Sequence, residues 1–161
     1  MYFPRSTKSG FTLIELLVVM GIITILSSVV LVALNPTKRF ADARNSRRIT
    51  AVNTFLTAIY ECVLDNDGVL ASCIGSLTTD EVYEITSIPA DGVCNAVCTI
   101  ATSVNHCADI DTLLAAYLKE LPVDPSGVTT GHTGYAISRD TNNILTITAC
   151  AGEGDIIKVS R

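Results

Sequence analysis

The sequence predicts an α+β chain in which a long amino-terminal helix packs on a small antiparallel β-sheet. Three observations carry that expectation. Phe11 to Leu34 is an apolar run of 24 residues whose only charge is Glu15. Beyond it, Ile49, Val52, Phe55, Leu56, Ile59, Tyr60 and Val63 recur at three- and four-residue intervals, the period of a one-sided helix. Finally, Tyr135 to Arg139, Ile144 to Cys150 and Asp155 to Ser160 are β-rich segments separated by Asp140-Thr141-Asn142-Asn143 and Gly152-Glu153-Gly154. With 161 residues, 48% of them hydrophobic, and a mean hydropathy of +0.44, the chain is too apolar for disorder and too short for a large multidomain enzyme.

The first element is the apolar run, residues 11–34. At about 1.5 Å per residue it reaches roughly 36 Å as a helix, enough to cross a hydrocarbon core of about 30 Å with some tilt. Gly21, Thr24 and Ser28 supply small residues that permit close helix approach. The leader before it, residues 1–10, reads MYFPRSTKSG, with Arg5 and Lys8 and no acid. A secretory signal peptide has a shorter apolar stretch with a small-residue cleavage site after it. Here the run is too long, nothing like Ala-x-Ala follows it, and the cleavable junction, KSG before FTLIELL, lies ahead of it.

Gly10, Phe11, Thr12, Leu13, Ile14 and Glu15 together resemble the amino-terminal motif of the type IV pilin-like proteins, which include pilus subunits and the pseudopilins of type II secretion and DNA-uptake systems. The motif covers about the first 35 residues. The resemblance implies cleavage after Gly10 by a membrane-embedded prepilin peptidase, methylation of the new Phe11 amine, and pairing of Glu15 with the amine of a neighbouring subunit during assembly. It implies the fold too: a helix whose second half lies on a sheet. A carboxylate at mid-bilayer costs about 2.5–3.5 kcal/mol, so Glu15 calls for a partner on physical grounds as well.

Asn35-Pro36 ends the apolar run, and Pro36 is the expected kink, because proline removes a helical hydrogen bond and clashes with the preceding turn. Residues 35–64 continue the helix in amphipathic form, and Asp65-Asn66-Asp67-Gly68 stops it. Residues 65–161 form the head. It is expected to hold a short helix near Asp80 to Ile85 and a loop-like connector around Pro89 and Gly92. A second helix follows, capped by Asp109 or Asp111, with Leu113, Leu114, Tyr117, Leu118 and Leu121 as its stripe and Pro122 and Pro125 as its stop. Leu121-Pro122-Val123-Asp124-Pro125-Ser126-Gly127 resembles the turn before the sheet in major pseudopilins and some pilins. In the closing three-stranded meander, Leu145, Ile147 and Ala149 share the buried face.

Charge is unevenly placed. The net of −5 argues against general nucleic-acid binding. Lys38, Arg39, Arg44, Arg47 and Arg48 stand against Asp42 alone, whereas everything from Ile49 onward holds 4 basic and 14 acidic residues. By the positive-inside rule this belt belongs in the cytoplasm, but the resemblance puts the leader there and the belt outside. On the outer side it would contact anionic headgroups or the acidic heads of neighbouring subunits, the second option making it an intersubunit belt. Capture of nucleic acid is disfavoured by the acidic head.

Cys62, Cys73, Cys94, Cys98, Cys107 and Cys150 all follow the apolar run, as expected of an ectodomain stapled by up to three disulfides, with the pairing left open among 15 connectivities. Cys94, Cys98, His106 and Cys107 match no common zinc spacing. Asp124 and Asp140 are weak calcium candidates, because some pseudopilins hold calcium in the loops of the sheet. Gly127, Gly131 and Gly134 precede no Lys-Ser/Thr and no helix, so they do not form a phosphate loop.

With two histidines, no tryptophan, no Gly-x-Ser-x-Gly and no His-Glu-x-x-His, no catalytic constellation is expected and no cofactor. The expected partners are further copies of the chain, other pilins, the prepilin peptidase, the inner-membrane assembly platform and the membrane. The expected course is a single-pass protein of the cytoplasmic membrane that becomes part of a filament on the cell surface. A pseudopilin, or an anchored ectodomain that never polymerises, are the alternatives.

Overall fold

A computed structural model describes residues 10–87, 94, 107–128 and 131–161, and the chain divides into two compact units, Met1–Phe40 and Ala41–Arg161. In the first unit, α1 (Leu13–Leu34) has Thr12 as its N-cap and no buried residue. Two of its hydroxyls bond within the helix: Thr24 Oγ1 donates to the Met20 carbonyl and Ser28 Oγ to that of Ile25, each at 2.7 Å. Among the described residues, the helical stretch Leu13–Asp65 contains the one window long and apolar enough to cross a membrane.

The helix breaks at Asn35, not at Pro36. Asn35 takes a left-handed conformation (φ 40°) and closes α1, while Pro36 opens α2 (Pro36–Asp65) at the first helical position, where its missing N–H costs nothing. Asn35 Oδ1 then accepts from Thr37 Oγ1 at 2.8 Å, so one side chain ends one helix and helps start the next.

In the second unit, α2 supplies Val52, Phe55, Leu56, Ile59 and Cys62 to the core, which they form with Ile85, Tyr135, Ile137, Leu145 and Ile147 of the sheet. The Phe55 and Tyr135 rings meet at 5.4 Å between centroids, tilted by 57°. The helix ends over Asp65-Asn66-Asp67-Gly68, where Gly68 (φ 82°) donates to the Val63 carbonyl at 2.8 Å. One turn of helix, α3 (Ala71–Ile74), follows.

The sheet has five strands in the order β2-β1-β3-β4-β5, with β1 (Val82–Thr86), β2 (Cys107–Asp109), β3 (His132–Arg139), β4 (Leu145–Ala149) and β5 (Ile157–Ser160). The three carboxy-terminal strands form the expected antiparallel meander, with Leu145, Ile147 and Ala149 buried. Two strands were not anticipated: β1 pairs antiparallel with β3, and β2 pairs parallel with β1.

The short helix expected near Asp80 to Ile85 is corrected to β1, because Val82, Tyr83, Ile85 and Thr86 suit a pleated surface hydrogen-bonded on both edges. The second helix, α4 (Asp111–Leu114), is a single turn. Neither Asp109 nor Asp111 caps it: Ile110 holds the N-cap position without a side-chain bond, and Asp109 belongs to β2. Leu114 and Leu121 are buried and Tyr117 and Leu118 lie partly buried against the core, whereas Leu113 of the expected stripe is exposed, so the rest of the stripe packs without a continuous helix beneath it.

Candidate functional site

At the amino terminus the helix starts only at Leu13, so the Gly10-Phe11 peptide bond lies in exposed, non-helical backbone, the form a protease can bind. Phe11 is 91% exposed. Thr12 and Glu15 then form a reciprocal cap. Glu15 Oε2 accepts from the Thr12 amide at 2.9 Å and from Thr12 Oγ1 at 2.7 Å, while the Glu15 amide donates to Thr12 Oγ1 at 3.3 Å. The carboxylate is thereby turned toward the end of the helix where a cleaved chain would carry its new amine, and negative charge is favoured there by the helix dipole.

The five-cation belt does not stay together. Lys38, Arg39 and Arg47 are exposed, whereas Arg44 and Arg48 are engaged within the second unit. Arg48 is fully buried and uses all five of its N–H donors. Nε and Nη2 donate to Asp124 Oδ2 at 2.7 Å and Oδ1 at 3.0 Å, Nη1 donates to Asn45 Oδ1 at 2.8 Å and Glu153 Oε1 at 3.2 Å, and Nη2 also reaches Ser126 Oγ. Arg44 grips both oxygens of Glu153 with Nε and Nη2, and Asn45 exchanges two hydrogen bonds with the Glu153 backbone. The expectation of one belt facing neighbours is corrected for Arg48: a guanidinium sealed inside its own unit presents nothing to another subunit.

These contacts set the titration of the acids. Glu153 is held down to about 2, chiefly by its bond to Arg44; burial pushes it the other way, and the bond from Arg48 with the charges of both guanidiniums adds to the lowering. For Asp124, burial pushes the carboxyl up, but the bonds from Arg48 and Ser126 outweigh it and leave it below the usual range. Tyr135 is pushed up to about 12, chiefly by burial and further by the Asp124 charge. The turn carrying Asp124 rests on Gly134 (φ 78°), where a Cβ would come within 2.8 Å of Asp124 Cβ. Only glycine accepts both that backbone and that approach.

Of the two calcium candidates, Asp124 has both oxygens committed to Arg48, with Oδ1 also taken by the Ser126 amide. Asp140 Oδ1 accepts from the Asn142 and Ile144 amides, closing the β3–β4 turn. Among the described residues no group of three His, Cys, Asp or Glu side chains is placed to hold a metal.

Cys62 bonds to Cys73, fastening the end of α2 to α3, and Cys94 bonds to Cys107 at the start of β2. Cys150 is also in a disulfide, while Cys98 and His106 lie outside the described residues.

One pair was missed from the sequence. His132 Nδ1 lies 3.0 Å from Glu84 Oε1 across the β1–β3 pairing, and burial raises the Glu84 pKa against the pull of His132. No spacing signal links residues 48 positions apart on two strands, one of which was expected to be helix. An open groove of about 480 Å³ beside α2, lined by Thr50, Asn53, Thr57, Glu61, Tyr117 and Leu118, brings no nucleophile and base together.

No curated protein and no solved structure matches the chain. Residues 5–31 do match a family model, the prokaryotic N-terminal methylation motif. The chain therefore carries the type IV prepilin-like signal at its amino terminus, over residues that include Gly10, Phe11 and most of α1.

Proposed function

We propose that the protein is a pilin, cleaved after Gly10, methylated on Phe11, and polymerised through α1 into a filament outside the cytoplasmic membrane that serves adhesion, motility or DNA uptake. The observation that carries the reading is α1 itself: 22 residues, none buried, apolar on every side, opening on a capped Glu15. Such a surface needs lipid around it first and other helices afterwards. A lone carboxylate at its start supplies the charge that a methylated amine on an adjacent copy would complete. The prepilin peptidase, an assembly platform in the inner membrane and other pilins are the partners this requires. A pseudopilin is the second reading, favoured by the Leu121–Gly127 turn, which Arg48 seats through Asp124 and Ser126.

The test is the intact mass and amino-terminal sequence of the protein from a sheared surface fraction, with and without reduction and alkylation. A chain starting at N-methylated Phe11 in sheared filaments supports the pilin. A processed chain that stays with the cells favours the pseudopilin. A chain still starting at Met1, found only in membranes, overturns both and leaves an anchored ectodomain.

A further inference from the structure

We propose that Lys38, Arg39 and Phe40 form an interfacial collar that binds anionic phospholipid headgroups where α1 gives way to α2. The inference rests on the reading of α1 as a membrane span.

Three observations carry it. First, Lys38 and Arg39 are exposed and pair with no acidic side chain among the described residues, whereas Arg44 and Arg48 of the same basic stretch are both tied to acids. Second, Phe40 is 65% exposed beside them, in the first turns of α2. An aromatic ring directly after two cations suits the boundary between hydrocarbon and headgroups. Third, the trio falls at the right depth. Leu34 ends an apolar helix of 22 residues, about 33 Å long, and the trio begins four residues further along the chain, just past the break at Asn35, within reach of the roughly 5–8 Å of headgroup beyond each face of the core. Arg47 is the next exposed cation, nine positions after Lys38 in the sequence, and is not part of the collar.

Charge selects the partner. Each cation at an anionic surface favours the interface by about fivefold, so Lys38 and Arg39 together give about 30-fold. The collar would fix the depth of the subunit in the bilayer and would have to be released when the helix leaves the membrane.

The sequence has no tryptophan, so one introduced indole is a unique reporter. The full chain carrying Phe40→Trp is reconstituted in phosphatidylcholine vesicles with and without phosphatidylglycerol, at about one chain per vesicle, and quenched with acrylamide from the water. Ile25→Trp, in the middle of α1, reports insertion separately. The expected result is an indole at position 40 shielded in anionic vesicles and exposed in zwitterionic ones. The shielded-to-exposed ratio should fall about fivefold with Lys38→Gln, about 30-fold with Arg39→Gln added, and similarly in about 0.5 M salt. Equal quenching in both lipids, with Ile25→Trp protected, overturns the collar and leaves the membrane span standing. Quenching of Ile25→Trp as in water overturns both. Shielding that appears only at high protein-to-lipid ratio assigns the cations to acidic neighbours, and also overturns the collar.

Discussion

Arg48 and Asp124 meet through two parallel hydrogen bonds, Nε to Oδ2 at 2.7 Å and Nη2 to Oδ1 at 3.0 Å, with both side chains shut away from solvent. The pair ties the middle of α2 to a proline-bounded turn 76 residues further on. Removing one partner leaves a buried charge without its counterpart, which costs about 3–5 kcal/mol. Arg48→Ala is therefore expected to lower the melting temperature of the full chain in detergent by about 10–20 °C. Asp124→Asn should cost a comparable amount, because it leaves the buried Arg48 charge without Asp124 and turns an amide NH2 toward one of its two donors. The double variant Arg48→Met/Asp124→Asn should melt above the sum of the two single losses. Strict additivity in that cycle would show that the two groups are not energetically coupled.

The pH dependence of stability follows from the same network, with Glu84 acting in the opposite sense. Asp124 and Glu153 have folded-state pKa values below their unfolded ones, Glu153 at about 2. Their contribution is full above the unfolded values near about 4 and is lost as pH falls through the folded values. Glu84 is raised by burial, so it opposes folding once pH exceeds its folded value, and that opposition vanishes below the unfolded value near about 4. Glu84→Gln should therefore melt higher than the parent at pH 7 and equal to it at about pH 4, as read from thermal melts across the range. Glu153→Gln should do the reverse: lower melting at pH 7, with the deficit shrinking as pH falls toward about 2.

The Cys62–Cys73 bond closes a loop with a sequence separation of 11 between the end of α2 and α3, and both cysteines are buried. Chain-entropy arguments give about 3 kcal/mol for a loop of that size. Cys62→Ser/Cys73→Ser is expected to lose about 2–4 kcal/mol in denaturant titration. Because the bond lies in the core, mild reductant should leave it intact in the folded chain and open it once the head is unfolded. Reduction at equal rates in both states would contradict the buried placement.

What could be read from the sequence was whatever is written locally. The apolar run, the stop at Asp65-Asn66-Asp67-Gly68 and the meander of β3, β4 and β5 each rest on neighbours within a few residues, and their periods are plain. The signal at Gly10-Phe11 and Glu15 is local in the same way. β1 was mistaken for a helix because Asp80, Glu81 and Glu84 suggest a solvated turn of helix, whereas the strand is decided by β2, 23 positions later, and by β3, 46 to 56 positions later. Likewise the charge count between Lys38 and Arg48 was correct, but it could not separate the exposed cations from the buried one. Arg48 finds its acid only after folding; its spacing to Val52, Phe55, Leu56 and Ile59 puts it on the apolar face of α2, a signal that Arg47 lacks and that a charge count ignores.

Glu15 caps the helix start in the structure and, in the proposed reading, also supplies a charge for assembly, two roles that variants can separate. As a capping residue it accepts hydrogen bonds from Thr12, and as a charge it remains available to an amine. Thr12→Val removes the capping hydroxyl and keeps the charge, at a cost of about 1 kcal/mol to the helix start. Glu15→Gln keeps an acceptor oxygen and removes the charge. If the carboxylate pairs with the Phe11 amine of an adjacent copy, an interaction that offsets about 2.5–3.5 kcal/mol of burial in an apolar medium is lost in the second variant only. Filament yield in the sheared fraction should then fall at least about tenfold for Glu15→Gln and change little for Thr12→Val, with processing at Gly10 and membrane levels unaltered in both. The opposite ranking would assign Glu15 to capping, and assembly would have to draw its specificity from elsewhere on α1.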